Sequence, residues 1–279
     1  MKAAVLGSPI VHSLSPVLHR AAYAALGLDD WSYSQVECDS ARLAGFVSGL
    51  DSSWAGLSLT MPLKRTVLPL LDHADPVAEA TGSANTVVFS GGGRHGYNTD
   101  VQGIVDALAE AGVTAAGNVT IVGGGATACS ALAAARELGA EAAHVVVRDP
   151  ARASDLAGAA SRLGVPIQIR DFASLAPASA EVAPDLLIST VPAGAADSYA
   201  ARVRSTGIAP AAVMDVVYHP WPTELAGAAA AAGSVLASGF AMLLHQAAAQ
   251  VELMTGKQAP VEAMRVAGEA ELARRNAAS

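Results

Sequence analysis

Short apolar runs, interrupted by glycine and proline, set the framework of this chain. Residues 3–7 read as a buried strand. The run leads through Ser13-Leu14-Ser15-Pro16 into a stretch with Val17, Leu18, Ala21, Ala22 and Ala25 on one side, which predicts a helix to about residue 26 that Gly27 ends. Serine before proline predicts Ser15 as N-cap and Pro16 as the first helical residue. Residues 31–37 alternate as a second strand, and 41–50 read as a helix. Residues 54–59 alternate as a third strand, closed by Thr60, with Pro62 ending its pairing and Lys64 just beyond. A short helix over 64–71 follows. Residues 81–89 and 96–100 then read as two strands of a hairpin turning at Gly91-Gly92-Gly93. Asn85 and Asp100 fall on neighbouring strands of that hairpin, and Asp100 also suits an N-cap for a helix over 101–111 that ends at Gly112.

From residue 118 the pattern changes to strands alternating with helices. Strands are predicted over 118–122, 143–147, 167–170, 185–190 and 212–218, and helices over 126–138, 154–163, 222–232 and 239–255. That alternation predicts a parallel sheet, whose strand ends carry Gly123, Arg148, Thr190 and Val216. Ligands of open α/β sheets lie at such carboxyl ends. Gly123-Gly124-Gly125-Ala126-Thr127-Ala128 is a G-x-G-x-x-A turn between a strand and a helix. Glycine lets the backbone approach a pyrophosphate, and the helix N-terminus faces the negative charge. An acidic residue after the second strand would accept from a ribose 2′-hydroxyl. Arg148 stands there instead, with Arg152 four residues on, and two guanidinium groups suit a 2′-phosphate. Asp149 between them would repel that group unless it turned away.

Composition narrows the function classes. With 279 residues and 52% apolar content the chain is long enough for two domains. No apolar run has the length of a membrane span, and the two cysteines, Cys38 and Cys129, fit no metal spacing and predict a reducing, cytoplasmic setting. A net charge of −8 argues against nucleic acid or an anionic membrane as partner. Only three of the 17 basic residues are lysines, Lys2, Lys64 and Lys257. Lysine can be tuned to lose its proton near neutrality and arginine cannot, so Lys64 beside Thr60 is a candidate proton-transfer group. Ser13 and Ser15, two apart before a helix N-terminus, can aim two hydroxyls at an anion.

In this order and spacing, Gly7-Ser8-Pro9-Ile10, His12-Ser13-Leu14-Ser15-Pro16, Leu59-Thr60-Met61-Pro62-Leu63-Lys64, Ala84-Asn85-Thr86, Gly96-Tyr97-Asn98-Thr99-Asp100, the glycine loop, Asp215-Val216-Val217-Tyr218 and Met242-Leu243-Leu244-His245-Gln246-Ala247 resemble the shikimate dehydrogenases over nearly the whole chain. The resemblance implies an α/β fold of two lobes. An N-terminal α/β substrate domain would span residues 1–101, completed by C-terminal helices over 239–279, and a Rossmann-like NADP-binding domain would span 102–238. It implies the NADPH-dependent interconversion of 3-dehydroshikimate and shikimate on the route to chorismate and aromatic amino acids. By that likeness Ser13 and Ser15, helped by Tyr218, would hold the substrate carboxylate. Thr60, Lys64, Asn85, Asp100 and Gln246 would hold its ring oxygens, with Lys64 and Asp100 as the catalytic pair. Gly123, Gly124, Gly125, Ala126, Thr127, Arg148, Arg152, Thr190, Val216 and Gly239 would face NADP. The expected partner is a small anion, and a homodimer stays open. The chain departs from the family's common pattern at Ser58 and Val147, where Asn is frequent, and at Asp149, where Thr is frequent. The alternatives are an NAD-dependent quinate/shikimate dehydrogenase, a non-catalytic shikimate-binding sensor on the same fold, and the methylene-tetrahydrofolate dehydrogenase relatives.

Overall fold

The structure, a computed structural model, describes residues 1–171 and 183–277. The chain divides into two compact units, Met1–Gly103 with Leu243–Ser279, and Ile104–Met242.

The first unit is built on strands β1 (Lys2–Gly7), β2 (Ser32–Glu37), β3 (Trp54–Leu59), β4 (His73–Ala74), β5 (Thr86–Ser90) and β6 (Gly93–Tyr97). They lie in the order β2-β1-β3-β5-β6-β4. The sheet is mixed: β1 runs parallel to β2 and β3, while β5 is antiparallel to both β3 and β6. Around it stand α1 (Ser15–Ala25), α2 (Leu43–Ser48), α3 (Leu63–Thr66), α4 (Pro76–Thr81), the start of α5 (Asp100–Glu110), most of α10 (Gly239–Thr255) and α11 (Val261–Asn276). Leu6, Leu43, Leu57, Leu63 and Val87 centre its core.

Several expectations are corrected. β3 is central rather than alternating, with every residue from Ala55 to Leu59 buried, because neighbours on both edges and helices on both faces leave it no solvent side. Ser15 is not the N-cap of α1. Leu14 takes that position in helical conformation with no side-chain cap, while Pro falls in the first turn. Thr81 does not begin a strand. It ends α4, which Asp75 caps through the Ala78 N–H and Gly82 closes in the left-handed region. The polar cluster before residue 86 hid a helix ended by glycine. Asp100 opens α5, and the Thr99 carbonyl accepts from the Gly103 N–H.

The second unit carries β7 (Asn118–Val122), β8 (Ala142–Val147), β9 (Ile167–Asp171), β10 (Leu186–Ser189), β11 (Ala212–Asp215) and β12 (Val235–Ser238) in the order β12-β11-β10-β7-β8-β9. All five pairings are parallel. Its helices include α6 (Ala126–Glu137), α7 (Ser154–Leu163), α8 (Asp197–Thr206) and α9 (Glu224–Ala231). The predicted strand over 212–218 stops at Asp215, and β12 was hidden in what read as a connection between two Ala-rich helices. From β7 the chain winds outward through β8 and β9, then returns to β10 on the other side of β7 and winds the opposite way. The direction therefore reverses between β7 and β10, the place where open α/β sheets bind ligands. Among the described residues no helix is long and apolar enough to cross a membrane.

Candidate active site

Strand direction gathers the chemistry of the first unit at one end of its sheet. The carboxyl ends of β1, β3 and β6 and the amino end of β5 all point the same way, because β5 is antiparallel to its neighbours. Ser13 and Ser15 therefore follow β1, Thr60 and Lys64 follow β3, Asn85 precedes β5, and Asn98, Thr99 and Asp100 follow β6. Main-chain bonds lock these segments together. Thr60 N–H donates to Leu6 O at 2.9 Å, Leu59 N–H to Asn85 O at 2.7 Å, Ala84 N–H to Lys64 O at 2.8 Å and Asn85 N–H to Tyr97 O at 3.0 Å.

Lys64 Nζ donates to Asp100 Oδ2 at 2.5 Å, with the two side chains only 15% and 5% exposed. The other carboxylate oxygen, Asp100 Oδ1, accepts from Asn85 Nδ2 at 2.7 Å. Asn85 Oδ1 accepts from the Thr99 N–H at 2.9 Å and from the Thr86 hydroxyl at 2.8 Å, so its amide nitrogen is turned toward the carboxylate. Gln246, on α10, accepts from Asn85 Nδ2 at 3.4 Å through Oε1, and its Nε2 donates to Leu243 O at 2.8 Å. Asp100 N–H donates to Asn98 Oδ1 at 3.1 Å, and Asn98 in turn donates to Thr81 and Ser83 hydroxyls at 2.8 and 3.1 Å. A lysine ammonium held on a buried carboxylate can hand a proton to an oxygen brought beside it.

The serine pair is joined as well: Ser15 N–H donates to Ser13 Oγ at 3.3 Å. Ser15 is buried. The loop before it is pinned from two sides. Glu37 accepts from the Ser8 hydroxyl at 2.5 Å and from the Ile10 N–H at 3.0 Å, while Arg275 donates to His12 O at 2.7 Å.

Sequence reasoning marked Ser58 as a departure from the family pattern but did not connect it with His19, Tyr33, Thr86 and Gln250, which with it form a buried polar line behind these residues. Burial lowers the His19 pKa to about 3, against a smaller opposing effect of its bond to Gln250, so the ring is neutral at physiological pH. The legible signal was a polar residue inside an apolar run: Ser58 within β3, and Gln250 one helical turn after Gln246.

In the second unit the glycine loop falls at the point of reversal. Gly123 follows β7 with φ +120°, a region L side chains rarely adopt, and a Cβ there would collide with Thr190 Oγ1. Thr190 itself follows β10, with its N–H and hydroxyl both donating to Val122 O at 2.8 and 2.9 Å. Gly124 and Gly125 complete the turn. Gly125 occupies the N-cap of α6 in extended conformation with no side-chain cap, so the first-turn N–H groups at Ala126 and Thr127 are left to an outside acceptor. A close-approach glycine beside an uncapped helix start fits a pyrophosphate. Arg148 is exposed immediately after β8. Asp149 caps the next turn through the Ala151 N–H at 3.0 Å. Arg152 lies in that turn, and its side chain is outside the described residues. Val216 N–H donates to Ser189 O at 3.0 Å, and Gly239 opens α10 where a Cβ would strike the Val216 carbonyl. Asp215, whose pKa burial raises, accepts from Thr223 Oγ1 at 2.8 Å and from Val217 N–H at 3.2 Å, closing the loop that carries Tyr218. Tyr218 thus belongs to the second unit, and the serine pair to the first.

Residues 5–87 match the family model for the shikimate dehydrogenase substrate binding domain, and 239–267 match that for the shikimate 5'-dehydrogenase C-terminal domain. The chain is 37% identical over 270 residues to the shikimate dehydrogenase (NADP(+)) of Moorella thermoacetica, covering 94% of this chain and 90% of that protein. The crystal structure of Mycobacterium tuberculosis shikimate dehydrogenase superposes with a TM-score of 0.87 at 43% identity, over 96% of this chain and 99% of that one. The Thermus thermophilus enzyme, solved in complex with NADP(H) and shikimate, superposes with a TM-score of 0.80 at 31% identity, over 97% and 99% of the two chains. On these likenesses, which run the length of both units, the chain belongs to the shikimate dehydrogenase family.

Proposed function

We infer that this chain catalyses the reversible NADPH-dependent reduction of 3-dehydroshikimate to shikimate. The observation that carries the reading is the Lys64–Asp100 pair, held at 2.5 Å at the sheet end where Asn85, Gln246, Thr60 and the two serines also stand. Ser13 and Ser15 donate hydroxyl hydrogen bonds to the substrate carboxylate, and Tyr218 adds a third. Thr60, Asn85, Asp100 and Gln246 hold the ring oxygens. Gly123, Gly124, Gly125, Ala126 and Thr127 receive the pyrophosphate. Arg148 and Arg152 take the 2′-phosphate, and Thr190, Val216 and Gly239 border the same cofactor.

When bound, NADPH supplies the hydride for carbon 3 of the substrate. Lys64 delivers a proton to the oxygen at that carbon as it becomes an alkoxide, and in the oxidative direction takes it back. Asp100 keeps the ammonium on the correct side of the oxygen, and Asn85 keeps Asp100 from turning.

Initial rates with shikimate and with quinate, each against NADP⁺ and NAD⁺, test the assignment. Shikimate with NADP⁺ is expected to be the fastest pair. A quinate rate that matches it, or an NAD⁺ preference, transfers the chain to the quinate-using branch. Lys64→Ala is expected to lower kcat by about 10²-fold or more, as for the loss of a general acid. Near-wild-type kcat in that variant removes Lys64 from the role.

A further inference from the structure

Behind the residues assigned to substrate lies a continuous line of buried hydrogen bonds with Gln250 at its centre. Gln250 is 2% exposed, and both ends of its amide are engaged. Its Oε1 accepts from Ser58 Oγ at 2.7 Å and faces His19 Nε2 at 3.2 Å. Its Nε2 donates to Thr86 Oγ1 at 2.9 Å and to Asn85 O at 3.3 Å.

The amide gives the line a direction. An oxygen that only accepts requires Ser58 to donate, and Ser58 accepts in turn from the Tyr33 phenol at 2.7 Å. It also requires the proton of neutral His19 to sit on Nε2, which agrees with a buried Nδ1 that has no partner among the described residues. On the other side, a nitrogen that only donates requires Thr86 to accept from it. The Thr86 proton is then free to point at Asn85 Oδ1, 2.8 Å away. Asn85 is thereby held twice by Gln250, directly at its carbonyl and through Thr86 at its side chain.

We propose that Gln250 is a positioning residue for the reaction, fixing the Asn85 amide through one directional relay that runs from Tyr33 and Ser58 to Thr86. It touches neither substrate nor cofactor. It sets which way Asn85 presents its amide to Asp100, and its own amide is fixed in turn by Ser58 and His19. Asn85 and Asp100 are aligned before substrate arrives. The proposal rests on the shikimate dehydrogenase reading for its kinetic consequences, but the relay itself is independent of that reading.

Gln250→Met, which keeps the volume and removes both hydrogen-bonding ends, is the first test. The KM for shikimate is expected to rise roughly five-fold, the size of one lost net hydrogen bond, with the KM for NADP⁺ unchanged. Thr86→Val cuts the same line and is expected to do the same. The double variant should be no worse than either single one, because a relay broken once is already broken. Losses that multiply in the double variant, or a variant that loses only kcat while its shikimate KM stays put, overturn the proposal. A readout without substrate separates the relay from the assigned activity. The side-chain amide resonances of Asn85, identified by their disappearance in Asn85→Asp, should shift and lose exchange protection in Gln250→Met. Unchanged resonances overturn the relay whatever the wild-type enzyme turns over. A wild type inactive on shikimate, with the resonances shifting as expected, overturns the assigned activity alone.

Discussion

His19 gives the structure a measurable acid sensitivity. Its ring is fully buried, stacked on Tyr33 at 3.9 Å between centroids and set edge-on to Tyr23 at 6.1 Å. Burial lowers its pKa from 6.5 to about 3, so between those values the unfolded chain binds a proton that the folded chain refuses. Stability must then rise with pH across the window and fall as the solution is acidified through it. Each unit of pH is worth about 1.4 kcal/mol per proton, and the linkage summed from pH 7.5 to 4.5 comes to about 3 kcal/mol. The perturbation is His19→Phe, which keeps the ring stack but cannot titrate. Carboxylates that desolvation raises above their usual range, Asp75, Glu137 and Asp215, act in the opposite sense. The informative quantity is therefore the difference between variant and wild type. Urea unfolding at pH 7.5, 6, 5 and 4.5, read by Trp31 and Trp54 fluorescence in a Trp221→Phe background, reports on the first unit. The variant should start below wild type at pH 7.5 by about 1 kcal/mol, for the lost Gln250 bond, and overtake it on acidification. Two curves that stay parallel within about 0.5 kcal/mol over that range, against the slope expected from a lowered histidine pKa, refute the reasoning.

Two further outcomes test the second unit. Gly123→Ala forces a side chain into a left-handed backbone and against Thr190, and should destabilise that unit by about 1–3 kcal/mol while weakening NADP⁺ binding, read by calorimetry with and without the nucleotide. Arg148→Ala should raise the KM for NADPH about ten-fold or more, the size of a lost charge-assisted bond, and leave that for NADH unchanged; an equal change in both removes Arg148 from 2′-phosphate recognition.

The second unit was legible almost strand by strand because parallel strands buried on both faces are nearly continuous apolar runs, as Asn118–Val122 and Ala142–Val147 show. β12 escaped because Gly233 and Gly239 bracket it, and glycine reads as a break. In the first unit, α4 was lost for the opposite reason. Its six residues are too few to show a period, and its Asp75 cap and Gly82 stop look like any turn. The residues proposed to face ligand were legible one at a time, from strand ends and polar breaks. Their mutual contacts were not: that Asn85 turns its nitrogen to Asp100 depends on Thr99 and Thr86, and nothing in sequence spacing says which end of an amide points where.

The β5–β6 hairpin turns at Gly91 and Gly92, both with positive φ, at the end of the sheet away from Lys64 and Asp100. The approach to β5 and the exit from β6 carry Asn85 and Asp100, so the turn can lengthen, shorten or accept a graft without altering their register. A side chain added at Gly91 or Gly92 would meet nothing, so that tip has room for a tag, a reporter or a crystal-packing loop. One residue inserted between Thr86 and Ser90 would instead turn the strand inside out and part the amide from its carboxylate. The hairpin thus separates a freely editable end from one in which single positions are fixed.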